Sequence, residues 1–494
     1  MYFPLKKEFI KLSKKGNVIP VYREISADFD TPLSAFTKID DGENSFLFES
    51  VEGGEKIGRY SFLGSSPLIT IESKGKRVSV IEKGKRPKRV SSNPLSVIEK
   101  FMNQYEFVKV KGLPRFCGGL VGYIGYDVVR FIEDIPNTCK DDLSFSDVKL
   151  MLADTILVFD REAHTIKVVS NAHIKQSNIK STHKAYNEAL KRIEGMILKL
   201  KRPISKHFKE IENLPHKINF KSNITKSSFK NNIKKAKAYI KKGDIIQVVL
   251  SQRFETDFKK DPLNVYRALR FINPSPYMFY LSFKNLKLVG SSPEIMVRGE
   301  DGIAQIRPIA GTRPRGNSVK EDKLLEKELL SDPKECAEHL MLVDLGRNDL
   351  GRVCKSGSVK LSEFMVIEKY SHVMHIVSDC IGKLKKDKNA LALLKASFPA
   401  GTVAGAPKIH AMEIIDELET IKRGPYAGCV GYISYSGNLD TCITIRTIVI
   451  KNKKAYVQAG AGIVSDSKPD KEYQETVNKA KGMLKAVAIA KAVK

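Results

Sequence analysis

The amino-acid sequence of 494 residues predicts an α+β fold. β-rich runs at residues 154–159 and 165–169 are joined by a short polar turn, which is typical of a hairpin. A second hairpin is predicted from residues 428–435 and 441–450, with a turn at Ser-Gly-Asn between them. Helical periodicity at residues 178–200 indicates that the strands are accompanied by long helices.

Composition and periodicity divide the chain into three parts. Residues 1–200 are predicted to form an N-terminal domain of short strands and helices. Residues 201–223 are basic, contain two prolines and lack periodicity, so they are predicted to link two domains. Residues 224–494 are predicted to form a second domain, which begins with a helix at 225–242 and a strand at 245–254.

The later elements are predicted from alternation, helical period and turn residues. In chain order they are a helix at 262–271, a hairpin of 277–283 and 286–290, loops at 291–294 and 307–313, strands at 363–365 and 371–378, a helix at 390–397, a rigid turn at 399–408 and a final helix from about Pro469.

The charge of the chain is strongly positive, with a formal net charge of +28 from 84 Lys and Arg against 56 Asp and Glu. Such a balance is compatible with nucleic acid or other anionic partners. However, the basic residues are scattered, and the sequence has no arginine-rich arm, zinc-finger spacing or aromatic RNA-binding motif. A diffuse lysine-rich surface and no nucleic-acid partner are therefore predicted, and nucleic-acid binding is kept as a remote alternative.

The seven cysteines are widely spaced and form no C-x-x-C pair, so neither a disulfide framework nor a zinc site is expected. The N-terminus has no apolar signal core, and no apolar run of about 18 residues occurs. A cytoplasmic protein without a membrane partner is predicted.

Two helix starts carry paired carboxylates. Asp332 is a candidate cap, and Glu335 and Glu338 follow with the three-residue spacing that places both on one helical face. Glu472 and Glu475 repeat this spacing at the start of the last helix. Acids favour helix starts in any case, so a capping box with surface acids is one explanation. Two such pairs facing each other would instead form a site for a hard cation such as Mg²⁺.

Several residues are candidates for binding anions. Strand alternation would place Cys442, Thr444 and Arg446 on one face, where the arginine would bind a carboxylate of a ligand or an internal acid. Residues 459–462 (Ala-Gly-Ala-Gly) would offer backbone N–H groups as an anion nest, or would simply form a flexible turn. Tyr426 is a further candidate, although a core tyrosine is the simpler interpretation.

His375 lies in an apolar strand-like run and is either a satisfied core histidine or a general acid or base. No serine or cysteine nucleophile motif and no phosphate-binding loop occurs. Cys117 lacks the surrounding glycine pattern of the glutamine amidotransferase nucleophile.

Four ordered motifs resemble those of the chorismate-binding enzymes, at residues 332–349, 308–313, 398–407 and 472–480. The N-terminal runs around residues 48–50 and 118–127 are similar to the same family, so the resemblance spans nearly the whole chain. It implies two antiparallel sheets packed as a sandwich with flanking helices, with the N-terminal part wrapped around the catalytic part.

Two positions favour one branch of the family. Members that form isochorismate or salicylate carry a lysine that activates water where this chain has Gln247. Members that form aminodeoxychorismate carry a nucleophilic lysine where this chain has Ala310. The resemblance therefore implies the branch that converts chorismate and ammonia into anthranilate and pyruvate, with aminodeoxychorismate formation as the alternative.

The resemblance also assigns binding roles. Glu338 and Glu475, with Glu335 and Glu472 beside them, would hold Mg²⁺, and the ion would hold the ring carboxylate of chorismate. The residues expected to bind substrate are Gly311, Thr312, Tyr426, Arg446, Gly460, Ala461, Gly462 and Lys479.

The remaining roles implied by the resemblance are catalytic and regulatory. Glu294 would protonate the departing 4-hydroxyl, and His375 with Thr402 would assist the loss of pyruvate. Because no amidotransferase motif occurs in the chain, a separate glutamine amidotransferase subunit is expected to supply ammonia. A feedback pocket for L-tryptophan is expected at Glu49, Ser50, Pro276, Tyr277, Met278 and Cys442.

Overall fold

The computed structural model describes residues 1–50, 58–176, 178–204, 219–370 and 373–493. The strands in these ranges are β1 (Tyr2–Phe3), β2 (Val18–Ser26), β3 (Asn44–Glu49), β4 (Tyr60–Ser65), β5 (Ile69–Lys74), β6 (Arg77–Glu82), β7 (Lys88–Ser91), β8 (Gly119–Ile124), β9 (Val148–Ala153), β10 (Thr155–Asp160), β11 (Thr165–His173), β12 (Lys221–Ser222), β13 (Gln247–Asp257), β14 (Tyr277–Phe283), β15 (Leu286–Ser292), β16 (Ile295–Glu300), β17 (Ile303–Ile306), β18 (Ile309–Pro314), β19 (Lys360–Lys369), β20 (Val373–Lys383), β21 (Gly405–Ala406), β22 (Cys429–Ser434), β23 (Leu439–Ile443), β24 (Thr447–Lys451) and β25 (Lys454–Ile463).

The helices lie mostly between strands or after them. They are α1 (Lys6–Leu12), α2 (Pro32–Ile39), α3 (Pro94–Met102), α4 (Ile179–Leu200), α5 (Lys226–Lys242), α6 (Pro262–Ile272), α7 (Val319–Ser331), α8 (Pro333–Gly351), α9 (Ala390–Ser397), α10 (Gly401–Ala404), α11 (Lys408–Leu418) and α12 (Pro469–Ala492), with a 3₁₀ turn at Tyr126–Phe131. No helix in the described part of the chain is both long and apolar enough to cross a membrane.

The strands form two sheets in which the named strands pair antiparallel. The first sheet has the order β1-β2-β11-β10-β4-β3-β14-β15-β24-β25-β13-β12, with β21 also paired to β13. The second has the order β18-β20-β17-β16-β23-β22-β8-β9-β5-β6-β7, with β19 also paired to β20. Strands from the N-terminal part enter both sheets, because β3 pairs with β14 and β8 pairs with β22.

The two sheets pack face to face through aromatic side chains. Phe116 stacks on Tyr432 of the second sheet with ring centroids 4.1 Å apart, and Phe62 of the first sheet contacts both rings edge-on. Tyr123 and Phe283 make a similar contact across the interface at 6.0 Å. Burial of such large rings is the main source of stability in a sandwich core. The predicted α+β sandwich with flanking helices is confirmed.

Helices α4 and α5 lie where the sequence predicts helices, because each has a capping residue that can be recognised in the sequence. The side chain of Thr225 accepts a hydrogen bond from the N–H of Ser228 at the start of α5. The same helix ends at Gly243, whose φ of 85° is a left-handed conformation that glycine adopts without strain. Asn178 caps α4 in the same way through Ser181.

Three local predictions are wrong. Residues 307–313, predicted as a loop, contain strand β18, which is paired to β20. Residues 459–462 are neither a turn nor a nest, because they lie inside β25 and pair with β13. Residues 441–450 are not one strand but the end of β23 and most of β24, which belong to different sheets. Strand alternation therefore does not place Cys442, Thr444 and Arg446 on a common face.

The predicted domain division stays a prediction. The middle of the expected linker, residues 205–218, lies outside the described residues, and both flanking parts contribute strands to both sheets.

A buried ion pair fastens β13 to α10. Arg423 binds both oxygens of Glu419 at 2.6 and 2.9 Å and donates to the carbonyls of Val403 and Val249, each at 2.7 Å. Both side chains are almost fully buried, at 1% and 7% exposed. Since Val403 follows Thr402 and Val249 lies on β13, this pair fixes two walls of the site described below.

We expect Glu419→Gln to lower the free energy of unfolding by about 3–5 kcal/mol, because it leaves a buried guanidinium without its counter-charge. The measurement is the urea-unfolding midpoint. Glu133→Gln is the control, since Glu133 meets Arg352 at 3.3 Å at the surface and should cost less than about 1 kcal/mol. Equal shifts for the two variants would contradict the assignment.

Candidate active site

The first acidic helix start turns one carboxylate inward. Asp332 caps α8 by accepting hydrogen bonds from the N–H groups of Lys334 and Glu335, at 3.0 and 3.3 Å. The Glu335 carboxylate faces the backbone of Gly311, where an added Cβ would lie 3.2 Å from its Oε2 atom. Gly311 has a φ of 67°, so this close approach needs glycine for both its backbone and its lack of a side chain.

The two helix starts face each other. Lys334 of α8 binds Asp466, just before α12, at 2.9 Å. The pKa of Lys334 is raised first by Asp466 and then by Glu472 and Glu338, so acids of both helices lie within reach of one ammonium. Acids of both helix starts therefore act on one lysine, and the prediction that the two glutamate pairs hold one ion stays a prediction.

Each acidic pair has a basic or amide neighbour. Glu475 binds Lys479 at 2.7 Å, and Gln247 donates a hydrogen bond from Nε2 to Glu338 at 3.3 Å. Burial raises the pKa of Glu335 and of Glu472, and in each case the partner glutamate of the same pair adds to the rise.

The donor set fits Mg²⁺. Carboxylate oxygens are the ligands that Mg²⁺ prefers, and it commonly takes one or two protein carboxylates and completes its shell with water and substrate oxygens. One glutamate from each helix start would supply that number. In the described ranges no three Asp, Glu, His or Cys side chains converge on a point, so these residues do not form a cage made of protein alone.

Arg446 occupies the place where the chain crosses from the second sheet to the first. Its φ of 50° is a left-handed conformation, which is strained for a residue with a side chain. Its Nη1 atom donates to the carbonyl of Lys479 at 3.3 Å, and burial lowers its pKa. Among the described residues no carboxylate lies within ion-pair distance of it, so the internal acid that the sequence left open is not found.

An open strand edge lies beside Arg446. Strand β24 pairs with β25 only as far as Val457, so residues 458–463 have a strand neighbour only in β13. Gly460 and Gly462 lie opposite Ser251 and Val249, whose N–H and carbonyl bind Glu419 and Arg423 rather than β25, so both are non-hydrogen-bonded pairs. Lys479 donates to the Gly460 carbonyl at 3.2 Å from the open side. The N–H groups of both glycines therefore point toward the site.

The glycines of this edge also leave room for two side chains. A Cβ on Gly460 would lie 2.7 Å from the hydroxyl of Tyr426, and one on Gly462 would lie 2.5 Å from Nε2 of Gln247. Burial raises the pKa of Tyr426 to about 12, so its hydroxyl stays protonated and able to donate.

Glu294 is a buried carboxylic acid at the end of β15. Burial raises its pKa to about 8, and the nearby Thr402 hydroxyl and Lys479 ammonium only partly offset the rise. The Thr402 hydroxyl itself has no partner within hydrogen-bond geometry. An acid with this pKa is protonated at neutral pH and can donate its proton.

His375 has a defined tautomer. Its Nδ1 atom lies 2.9 Å from the carbonyl of Gly311 and 3.1 Å from Oγ1 of Thr312. Because a carbonyl can only accept, Nδ1 carries the proton, and in the neutral ring Nε2 is the free base. Burial lowers the pKa of His375, and the charge of Arg446 lowers it further, so the neutral form is favoured.

A cavity lies between the two sheets and encloses about 530 Å³ of space not filled by atoms, including its mouth. All six residues predicted to bind tryptophan line it, namely Glu49, Ser50, Pro276, Tyr277, Met278 and Cys442. Tyr266 donates to Glu49 at 2.5 Å, whereas the buried hydroxyl of Ser50 has no partner. An orphaned buried hydroxyl in a cavity wall is typical of a ligand pocket.

Some residues of the two sites were not predicted from the sequence. Lys334 lies between Asp332 and Glu335, and this position is a signal that could have identified it as a bridge between the helix starts. Arg298 and Asp440, which line the inter-sheet cavity, lie on different strands, so only the sheet register brings them together.

Comparisons with known proteins agree on the class of protein. A family model described as chorismate binding enzyme matches residues 43–485. The chain therefore belongs to the family of chorismate binding enzymes. This family membership confirms the resemblance read from the four sequence motifs.

Relatives that match over nearly their full length share one name within this family. The anthranilate synthase component 1 of Acetivibrio thermocellus is 48% identical over 99% of both chains. That of Aquifex aeolicus is 51% identical over 98% of this chain and 97% of its own. The crystal structure of anthranilate synthase component I from Streptococcus pneumoniae has a TM-score of 0.75 at 37% identity, covering 88% of this chain and 95% of its own.

A more distant structure shows the fold alone. The menaquinone-specific isochorismate synthase of Escherichia coli has a TM-score of 0.69 at 20% identity, covering 98% of both chains. The sandwich thus persists where most of the sequence differs.

We expect the carboxyl of Glu294 to be protonated at neutral pH and to lose its proton as the pH rises through about 8. The measurement is the infrared carbonyl band of a protonated carboxylic acid, followed from pH 6 to pH 10 (roughly two units on either side of that value). The band should be missing in Glu294→Gln. A band that disappears near the ordinary glutamate pKa would contradict the prediction.

Proposed function

We propose that this chain is the chorismate-converting subunit of an anthranilate synthase. It converts chorismate and ammonia into anthranilate, pyruvate and water. The observation that carries the proposal is that Lys479 joins Arg446 to a glutamate pair. Its carbonyl accepts from Arg446, a cation with no acid at ion-pair distance among the described residues, and its ammonium binds Glu475. A dicarboxylate substrate fits this polarity when one carboxylate is on the arginine and the other is on a cation held by the glutamates.

Glu338 and Glu475 would hold a Mg²⁺ ion, with Glu335 and Glu472 acting directly or through water. When bound, the ion supplies positive charge that binds and polarises the ring carboxylate. Gln247 positions Glu338 through its 3.3 Å hydrogen bond. A glutamine cannot act as a base toward water, which favours ammonia as the nucleophile.

The enolpyruvyl carboxylate is placed on Arg446. The hydroxyl of Tyr426 and the N–H groups of Gly460 and Gly462 converge on the same side of β25 and supply further donors. Lys479, held by Glu475 and the Gly460 carbonyl, keeps a positive charge between the two ends of the substrate.

The first chemical step uses Glu294 as the acid. It donates its proton to the 4-hydroxyl, which leaves as water while ammonia adds at C2 and the ring double bonds shift. The added nitrogen then loses one proton to solvent, and the product is aminodeoxyisochorismate. Burial keeps Glu294 protonated until the leaving group needs the proton.

The second step uses His375 as the base. Its free Nε2 removes the proton from C2, the C3–O bond breaks as the ring becomes aromatic, and the methylene carbon of the enolpyruvyl group gains a proton. The products are anthranilate and pyruvate. The hydrogen bond from Nδ1 to Gly311 fixes the tautomer that this step requires.

Ammonia comes from glutamine through a separate amidotransferase subunit. The anthranilate branch of the family needs no lysine nucleophile at position 310, and this chain has Ala310 there.

L-tryptophan is the proposed ligand of the inter-sheet cavity. Apolar walls at Pro276 and Met278 suit an indole ring, and Ser50 and Glu49 offer polar atoms to the amino-acid group.

We expect the protein, given chorismate, Mg²⁺ and ammonium, to form anthranilate, measured by its fluorescence and by chromatography. Glu338→Gln and Glu475→Gln should lower kcat/KM about 100-fold or more because a metal ligand is lost. Glu188→Gln, an exposed helical acid on α4, is the control and should keep normal activity.

Two outcomes would overturn this proposal. One is isochorismate or aminodeoxychorismate as the product. The other is near-normal turnover of both glutamate variants at low Mg²⁺, which would remove the ligand assignment.

We expect kcat to fall as the pH rises through about 8, since only the protonated form of Glu294 can act as the acid. The sign follows from a raised pKa, because the active form predominates below about 8 and is lost above it. Glu294→Gln should lower kcat by about 100- to 10,000-fold and abolish this alkaline limb. An unchanged alkaline limb in the variant would show that another group titrates.

We expect L-tryptophan to inhibit the enzyme and Ser50→Ala to raise the half-inhibitory concentration about two- to tenfold, the range for one lost hydrogen bond. Ser73→Ala is a matched control, because Ser73 is also buried with an unpartnered hydroxyl but lies outside the cavity. Insensitivity of the unmutated enzyme would remove tryptophan as the ligand.

A further inference from the structure

We propose that a row of hydrogen-bonded side chains across the second sheet transmits the occupancy of the inter-sheet cavity to the strand that carries His375. The inference rests on the proposed function, since it assigns a route for the regulation of that active site. The polar row begins at Tyr277 of the first sheet and continues in the second sheet, in spatial order, through Asp440, Arg298, Gln305, Asp379 and Ser362.

The row begins in the wall of the cavity. Tyr277 donates to Oδ1 of Asp440 at 2.8 Å, and Arg298 donates from Nε to Oδ2 of the same carboxylate at 3.2 Å. Arg298 also donates from Nη2 to the hydroxyl of Tyr277 at 2.9 Å. All three residues line the cavity, so a ligand that fills it must touch this triangle.

The row continues away from the cavity through side chains that do not line it. Arg298 donates from Nη1 to Oε1 of Gln305 at 3.3 Å, and Gln305 donates from Nε2 to Oδ1 of Asp379 at 2.8 Å. Ser362 donates to the other oxygen of Asp379 at 2.7 Å. Each step therefore joins one strand to the next, across β23, β16, β17, β20 and finally β19.

The far end of the row shares a strand with the catalytic histidine. Asp379 and His375 are four residues apart on β20, so they lie on the same face. β20 pairs through this region with β18, which contains Gly311 and Thr312, the two partners of the histidine ring. A small shift of β20 would change the position of Nε2 relative to the substrate.

Arg298 is the residue of the row whose position a ligand in the cavity would change. Its three guanidinium nitrogens already bind three different partners, Asp440, Tyr277 and Gln305. A ligand that forms a hydrogen bond with Tyr277 or Asp440, or that moves either of them, must change the position of the guanidinium, because the fork is rigid. The bond to Gln305 then changes length, and the change passes to Asp379.

The simpler explanation is that the row only satisfies polar groups that the sandwich buries. The two explanations differ in one measurable quantity, the coupling between the two sites. Coupling is the factor by which a ligand at one site changes affinity at the other. A row that only satisfies polar groups contributes to stability and leaves this factor unchanged.

The experiment breaks the row at Gln305, which touches neither the cavity nor the active-site groups. In Gln305→Met the side chain keeps its length but loses both hydrogen bonds. Tryptophan affinity is measured by calorimetry without substrate and with saturating chorismate, in both cases without ammonium so that no turnover occurs. The ratio of the two dissociation constants is the coupling factor.

We expect Gln305→Met to keep tryptophan affinity and basal kcat within about twofold, while the coupling factor falls at least fivefold toward one, near the low end of typical coupling strengths. Lys383→Met is the matched control, because Lys383 is an exposed polar residue on the same face of β20 as Asp379 and lies outside the row. Asp379→Asn is a second variant that keeps the shape of the side chain, and it serves if Gln305→Met unfolds at a lower temperature.

Coupling factors in Gln305→Met and Asp379→Asn that stay within twofold of the unmutated value would overturn the proposed route while leaving the tryptophan site intact. Unmutated protein that binds no tryptophan would overturn both the route and the regulatory part of the proposed function. The two failures are therefore distinguishable from the first calorimetric measurement.

Discussion

The site depends on the place where the chain leaves one sheet and enters the other. Between β23 and β24 the backbone takes a left-handed conformation at Arg446, and the guanidinium donates to the carbonyl of Lys479 on α12. Its burial lowers its pKa and leaves it without an acidic partner among the described residues. A cation held in this way favours the binding of an anion, because an unpaired charge removed from solvent is costly.

The starts of α8 and α12 crowd negative charge, as Arg446 isolates positive charge. Both helices begin with paired glutamates, and burial together with the neighbouring glutamate raises the pKa of Glu335 and Glu472. Helix starts stabilise negative charge through their free N–H groups, which lets the fold tolerate this crowding. Burial likewise keeps Glu294 protonated and favours the neutral form of His375, so loss of solvent sets the protonation states of both groups.

The inter-sheet cavity and the candidate active site are parts of one sandwich rather than of two separate bodies. Strand β3, which carries Glu49, pairs directly with β14, which carries Tyr277 and Met278. The second sheet then runs from the cavity wall at β23 to β20 without interruption. A ligand between the sheets would therefore contact the same hydrogen-bonded sheet that contains His375.

The sequence by itself determined the features that are encoded locally. Caps such as Thr225, the helical periods, the two glutamate pairs and the family motifs are properties of short stretches, and the structure contains the corresponding helices and the sandwich. Only the tertiary structure decided that Arg446 lies at a sheet crossing, that residues 459–462 form an open strand edge, and that Arg298 joins a row across five strands. The reason is physical: strand pairing and sheet crossings are set by contacts between distant segments, and alternation within one segment cannot reveal which sheet that segment joins.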